Sequence, residues 1–235
     1  MKRSSERRIE IAPGVVTTAV VYPGADAPVR PCHVPAALIL AHGAGAGQHG
    51  PFMVAFATAI AALGVDVVTF NFLYIEQRRH VPDRAPALES CYRSIIEAVR
   101  QEVASARDRL VIGGKSMGGR IATQVAAADP TLPVDGLVLL GYPLHPPGRP
   151  ERRRDAHLPA VKRPMLFVQG ERDTFGTPEE LSPVLAALDP VPVLHVVAGG
   201  DHSLKVSRSH AAAQAAVYDG VQRTIVEWIT GLLPT

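Results

Sequence analysis

The sequence has 235 residues, 47% of them hydrophobic and 20% charged, which suits one globular domain over residues 1–235. Its formal net charge of +2, from 24 Lys+Arg against 22 Asp+Glu, is too balanced to indicate a nucleic-acid partner. No apolar run reaches the roughly 18 residues that a membrane span needs, so we expect no membrane partner.

Strand and helix signals alternate along the chain. A β-branched segment at 15–22 predicts the first strand, and a proline-rich loop follows it up to Pro35. Apolar runs predict six further strands, at 36–41, 65–70, 110–112, 137–140, 165–168 and 193–197. Helical patterns alternate with these runs, at 52–63, 88–106, 116–128, 178–188 and 211–233.

This alternation predicts the α/β fold class. Runs that are apolar at every position fit strands buried on both faces, so we expect a mostly parallel central sheet with helices on both faces. In such sheets, ligands bind beyond the carboxyl ends of the strands. Five of the six runs end within two residues of a glycine, and the other ends at Asn71. The chemistry is therefore expected at these ends.

The run at 110–112 leads into the pattern G-x-S-x-G, formed by Gly114, Ser116 and Gly118. A serine at the tip of a sharp strand-to-helix turn has a strained backbone. Its neighbours two residues away must lack side chains so that strand and helix can approach each other. The alternative is a structural turn whose serine only caps the helix. The strand before and the alanine-rich helix after the pattern favour Ser116 as a nucleophile.

A second glycine-rich loop, H-G-A-G at 42–45, follows the run at 36–41. Acyl transfer needs two backbone N–H donors directed at the developing oxyanion. One donor belongs to the residue after the nucleophile, here Met117, and we assign the other to Ala44. The alternative is a phosphate-binding loop, but the spacings typical of such loops are missing.

A serine nucleophile needs a base, and His202 directly follows the last predicted strand. His195 is interpreted as a residue of that strand. Six further histidines are interpreted as solvated or structural: His33, His49, His80, His145, His157 and His210. The base in turn needs an orienting carboxylate, and the loop after the run at 165–168 offers two. Asp173 lies deeper in the turn and is preferred, with Glu171 as the alternative.

The segments G-K-S-M-G-G (114–119), H-G-A-G (42–45), G-E-R-D (170–173) and G-D-H-S (200–203) resemble the α/β-hydrolase superfamily. The resemblance extends from about residue 36 to the C-terminus and is strongest to the small lid-free branch that resembles dienelactone hydrolases. Asn71-Phe72 together with S-M-G-G-R resembles a branch related to a subunit of a histone-acetyltransferase complex. Dienelactone hydrolases carry cysteine where this chain has Ser116, so their substrate is not carried over.

The resemblance and the chemistry together imply a serine hydrolase that acts on a small-molecule acyl ester or thioester through a covalent acyl-enzyme. Neither a metal nor an organic cofactor is implied. Two alternatives stay open. S-M-G-G also resembles cofactor-free perhydrolases or haloperoxidases, and the same fold can serve as a non-catalytic interaction module. The complete set of triad residues argues against the module.

Two further expectations concern the surroundings of the site. The connection at 143–163 is short and interrupted by prolines, which predicts an open cleft without a cap domain. Two strand-end loops carry clusters of basic residues, and these are candidates for binding an anionic substrate. One cluster is Arg78, Arg79, His80 and Arg84, and the other is Arg149 and Arg152–Arg154. The alternative is solvated surface charge.

The cysteines and the N-terminus predict a location. Cys32 and Cys91 lie far apart and in no metal-ligand spacing, so both are interpreted as free thiols. No apolar stretch follows the basic N-terminal residues, as a secretory signal would require. We therefore expect a cytoplasmic protein.

Overall fold

The computed structural model describes residues 3–26, 34–206 and 211–232. Within them the strands are β1 (Ser5–Ala12), β2 (Val15–Tyr22), β3 (Ala37–Ala41), β4 (Asp66–Phe70), β5 (Leu110–Lys115), β6 (Gly136–Leu140), β7 (Met165–Gly170) and β8 (Val193–Val197). The helices are α1 (Pro51–Ala62), α2 (Leu73–Glu76), α3 (Ala85–Glu102), α4 (Ser105–Asp108), α5 (Met117–Ala128), α6 (Pro178–Ala186) and α7 (Ala211–Gly231).

These strands form one eight-stranded sheet in the order β1-β2-β4-β3-β5-β6-β7-β8. All neighbours from β4 to β8 in this order pair in parallel. Strand β2 pairs antiparallel with both β1 and β4. The predicted mostly parallel sheet is confirmed.

Helices cover both faces of the sheet. Successive side chains of a strand point to opposite faces, and β3 shows the result. Ile39 belongs to the core cluster that includes Tyr92 of α3 and residues of α5. Leu38 and Leu40 belong to the cluster that includes Phe56 of α1 and residues of α7. Because both faces are covered, every residue of β3 and of β6 is buried.

The two edges of the sheet depart from the sequence-based expectations. Strand β1 was not predicted, because half of its sequence SERRIEIA is charged and only Ile9 is buried. Strand β8 was expected to be buried on both faces, and this is wrong. Val193 and Val196 are 50% and 44% exposed, because β8 is an edge strand with only β7 beside it.

The helices mostly match the predicted segments. The helix expected at 88–106 begins earlier, at Ala85, and is interrupted after Glu102, where α4 follows as a separate turn. The short helix α2 was not predicted. The connection at 143–163 contains only the 3-10 turn Leu158–Ala160, so the expected absence of a cap domain is confirmed within residues 34–206.

Some expectations fall outside the described residues. Cys32, His33 and His210 lie there, as does most of the proline-rich loop before Pro35. Cys91 is a free, buried thiol on α3. Among the described helices, none has the length and apolarity needed to cross a membrane.

Candidate active site

Ser116 lies at the turn between β5 and α5. Its backbone has φ of 50° and ψ of −113°, a conformation that costs a non-glycine residue on the order of 1–3 kcal/mol. Its side chain makes no capping hydrogen bond to the helix. The helix-cap interpretation of this serine is therefore wrong, and its hydroxyl is available for another partner.

The glycines around Ser116 are required by close packing. A Cβ at Gly114 would lie 2.5 Å from the carbonyl oxygen of Ala41, and so would a Cβ at Gly118. Real Cβ atoms do not approach backbone oxygens so closely, and this backbone cannot give way because it belongs to β3. The G-x-S-x-G spacing thus reflects the contact of β3, β5 and the first turn of α5.

His202 joins Ser116 to Asp173. Its Nε2 lies 2.8 Å from Oγ of Ser116, and its Nδ1 lies 2.8 Å from Oδ2 of Asp173. A neutral imidazole that donates from Nδ1 to a carboxylate keeps Nε2 as an acceptor for the serine proton. The structure therefore brings the three residues together in the order that proton transfer from serine requires.

Asp173 is fully buried and is held by more than the histidine. Gln169, at the end of β7, donates from Nε2 to Oδ2 at 2.8 Å, and the Phe175 N–H donates to Oδ1 at 2.8 Å. The exposed carboxylate of Glu171 instead accepts a hydrogen bond from the Gly199 N–H at 2.6 Å. The structure thus places Asp173, and not Glu171, against His202.

The position of His202 is fixed from several sides. The Phe175 ring stacks on the imidazole, with centroids 4.1 Å apart. Nζ of Lys115 donates to the His202 carbonyl oxygen at 2.7 Å, and a Cβ at Gly141 would lie 2.7 Å from the same oxygen. Burial lowers the pKa of Lys115 to about 8. These contacts, and the contact of Gln169 with Asp173, were not predicted from the sequence. The polar glutamine that ends an apolar run was the one available signal.

Ala44 and Met117 both line the cleft beside Ser116. Within the part of the chain that the structure describes, neither backbone N–H donates to another group. Both amides are thus free to bind an oxyanion, as their assignment requires.

His42 fixes the loop that carries Ala44. Its Nε2 accepts a hydrogen bond from the Phe72 N–H at 3.1 Å, so its Nδ1 carries the proton and donates to the Gly43 oxygen at 2.8 Å. The ring is fully buried, and burial lowers its pKa to about 4. A neutral imidazole therefore ties this loop to the segment that follows β4.

The cleft has a volume of about 590 Å³. Its apolar wall includes Phe52, Met53, Leu88 and Phe175. Its charged lining residues are Lys115, Arg120, Arg154 and Asp83. Among the described residues, no group of three or more His, Cys, Asp or Glu side chains is arranged to hold a metal ion.

The arginine expectation needs correction. Arg78 and Arg79 are exposed, and neither lines the cleft. Arg79 forms an ion pair at 2.7 Å with Asp83, and of these two residues only Asp83 lines the cleft. Of the second cluster, Arg154 alone lines the cleft. Arg120 was missed because only strand-end loops were considered, whereas it lies on α5.

Comparisons with known proteins identify the family and the fold of the chain. A family model described as an alpha/beta hydrolase domain matches residues 34–230. A dienelactone hydrolase from Anabaena variabilis superposes with a TM-score of 0.73 at 18% identity, covering 99% of each chain. A serine hydrolase without a lid from Xanthomonas campestris gives 0.70 at 23% identity, covering 100% of this chain and 98% of its own. Est1E from Butyrivibrio proteoclasticus gives 0.66 at 15% identity, covering 94% of this chain and 98% of its own. At such identities the structural likeness shows a shared fold.

Proposed function

The chain belongs to the alpha/beta hydrolase domain family, and from this premise we propose that it is a serine hydrolase with Ser116, His202 and Asp173 as its catalytic triad. One observation carries the proposal. It is the unbroken chain of hydrogen bonds, each 2.8 Å long, from the Ser116 hydroxyl through His202 to the buried Asp173. The strained backbone at Ser116 adds weight, since such strain is concentrated at functional sites.

In the first half of the reaction, Oγ of Ser116 attacks the acyl carbonyl carbon, and Nε2 of His202 takes the serine proton. The carbonyl oxygen becomes an oxyanion, which the backbone N–H groups of Ala44 and Met117 stabilise. His202 then gives its proton to the leaving group as the bond to it breaks. The product of this half is an acyl-enzyme on Ser116 and a free alcohol or thiol.

In the second half, His202 removes a proton from a water molecule, and the resulting hydroxide attacks the acyl-enzyme. Collapse of this intermediate breaks the bond to Oγ, returns the proton to Ser116 and releases the carboxylic acid. Asp173 stays ionised throughout. It holds the imidazole in the required tautomer and stabilises its charged form.

The cleft indicates the size of the substrate. Its volume of about 590 Å³ lies within the range of small-molecule sites, and much of its wall is apolar. We therefore infer a small-molecule acyl ester or thioester as substrate. The structural neighbours are in keeping with this, because they include a dienelactone hydrolase and an esterase domain from Rhodothermus marinus.

Labelling with a fluorophosphonate probe tests the nucleophile. Mass spectrometry of the labelled protein should find the probe on Ser116, and Ser116→Ala should abolish both labelling and hydrolysis of 4-nitrophenyl esters. Ser203 also lines the cleft, so Ser203→Ala is the matched control and should keep both. Labelling that survives in Ser116→Ala would contradict the proposal. A peroxide-dependent halogenation faster than ester hydrolysis would assign the same triad to a perhydrolase.

A further inference from the structure

Two arginines share the cleft with Ser116. Arg120 lies in the first turn of α5, four residues after the serine, and Arg154 lies in the connection after β6. Both side chains are partly buried. Within the described residues neither forms an ion pair. Each is therefore a cation placed near the nucleophile without an acidic partner.

Their hydrogen bonds are also incomplete. Nη1 of Arg120 donates to Oε1 of Gln124 at 3.3 Å, but its Nε is buried and has no partner. The Arg154 side chain donates to no described residue. An unsatisfied buried donor costs on the order of 1–3 kcal/mol, more if charged, so the arrangement is costly without a ligand.

The electrostatic surroundings increase this cost. Burial, and then the nearby charge of Arg120, lower the pKa of the Arg154 guanidinium. Arg120 also lies at the N-terminus of α5, where the helix dipole favours anions and disfavours cations. The other charged groups of the cleft do not neutralise the two arginines. Lys115 adds positive charge and donates to the His202 carbonyl, and Asp83 is already paired with Arg79.

We propose that Arg120 and Arg154 form a subsite for a carboxylate of the substrate, so that the preferred substrates are esters that carry a carboxylate in addition to the scissile bond. This assignment rests on the proposed function of Ser116. The planar guanidinium group offers paired donors that match a carboxylate, and both arginines line the cleft that such a substrate would occupy. A phosphate would fit the same donors, and titration with adipate and with phosphate distinguishes the two ligands.

The test compares two esters with acyl chains of equal length, mono-4-nitrophenyl adipate, which is anionic, and 4-nitrophenyl hexanoate, which is neutral. The measured quantity is the ratio of their kcat/KM values. Arg120→Gln and Arg154→Gln should each lower this ratio roughly tenfold to a hundredfold, as expected for the loss of a charged hydrogen bond. Arg149→Gln is the matched control, because Arg149 is exposed on the same connection and does not line the cleft. An unchanged ratio in both cleft variants overturns the subsite while leaving the hydrolase intact.

A binding measurement keeps the two proposals separate. If neither ester is hydrolysed, the proposed function fails, and calorimetric titration with adipate and with inorganic phosphate still tests the subsite. Adipate should bind the wild-type protein and bind Arg154→Gln at least tenfold more weakly. Equal binding to both proteins, or binding of phosphate but not of adipate, overturns the carboxylate assignment. If a glutamine variant does not fold, the lysine variant at the same position replaces it. Lysine keeps the charge but not the paired donors, so Arg120→Lys and Arg154→Lys should each still lower the ratio of the esters, and an unchanged ratio in both overturns the subsite.

Discussion

The carboxylate of Asp173 accepts a hydrogen bond from Nδ1 of His202 at 2.8 Å while remaining fully buried. Asp173→Asn keeps the shape but favours the wrong imidazole tautomer. We therefore expect kcat to fall by about 10⁴, as in other triads that lose this carboxylate. Steady-state hydrolysis of a neutral 4-nitrophenyl ester measures the change.

The control for this substitution is the neighbouring acid. Glu171→Gln should lower kcat by less than about tenfold, because its carboxylate binds the Gly199 N–H and does not touch the imidazole. If Glu171→Gln is the more damaging of the two substitutions, Glu171 is the orienting acid.

Gly118 offers a test of packing at the nucleophile. In Gly118→Ala the new Cβ would meet the Ala41 oxygen at 2.5 Å, so we expect a loss of stability of about 1–3 kcal/mol together with a loss of activity. Gly220→Ala is the matched control on α7, where nothing lies within 4 Å of the new Cβ. It should raise stability by roughly 0.5–1 kcal/mol. Urea unfolding measures both, and a Gly118→Ala protein as stable as wild type would contradict this account.

The lowered pKa of Lys115 predicts that the stability of the protein changes with pH in the alkaline range. Its pKa is lowered from 10.5 to about 8 in the folded protein, so between these values the native state has released a proton that the unfolded chain still holds. Stability contributed at this site therefore rises with pH across that window. The free energy of unfolding of wild type, measured relative to Lys115→Met, should increase from pH 8 to 10 and stay level below pH 7. Lys162→Met is the matched control for the replacement of a lysine by methionine, because the side chain of Lys162 is exposed on the surface.

The absence of a cap over residues 143–163 predicts the response to lipid surfaces. A site without a lid has nothing to open at an interface, so the rate on a triglyceride should follow the dissolved substrate alone. Hydrolysis measured through the solubility limit should level off there. A sharp rise in rate above that limit would show that a mobile element covers Ser116.

The sequence identified the central strands because burial on both faces leaves an uninterrupted apolar run, as in β3 and β6. The predictions from the sequence were wrong at the two edges of the sheet, because edge strands are not buried on both faces. Half of the residues of β1 are charged, since one of its edges and much of its surface face solvent. Strand β8 is apolar in sequence, although two of its valines are exposed. An apolar sequence pattern indicates that a strand can be buried, but it does not indicate whether another strand lies beside it.

The site shows a similar division. Ser116 and His202 follow from local signals, since each directly follows a strand in a glycine-rich turn. The choice between Asp173 and Glu171 depends on which way each side chain leaves the same turn, and Arg78 and Arg79 were misplaced for that reason. The order of the strands predicts which loops lie at one edge of the sheet. It does not predict side-chain direction, which decides that Arg154 faces the cleft while its neighbouring arginines do not.

The neutral ring of His42 sets an acid limit for the stability of the protein. The pKa of His42 falls from 6.5 to about 4 on folding. As the pH drops between these values, His42 binds a proton in the unfolded chain but not in the native state, so the free energy of unfolding decreases. Below about 4 the ring would hold protons on both nitrogens, and its Nε2 could no longer accept from Phe72. A version of this protein adapted to strong acid would therefore need, at position 42, a side chain that donates and accepts without titrating, as the amide of asparagine does.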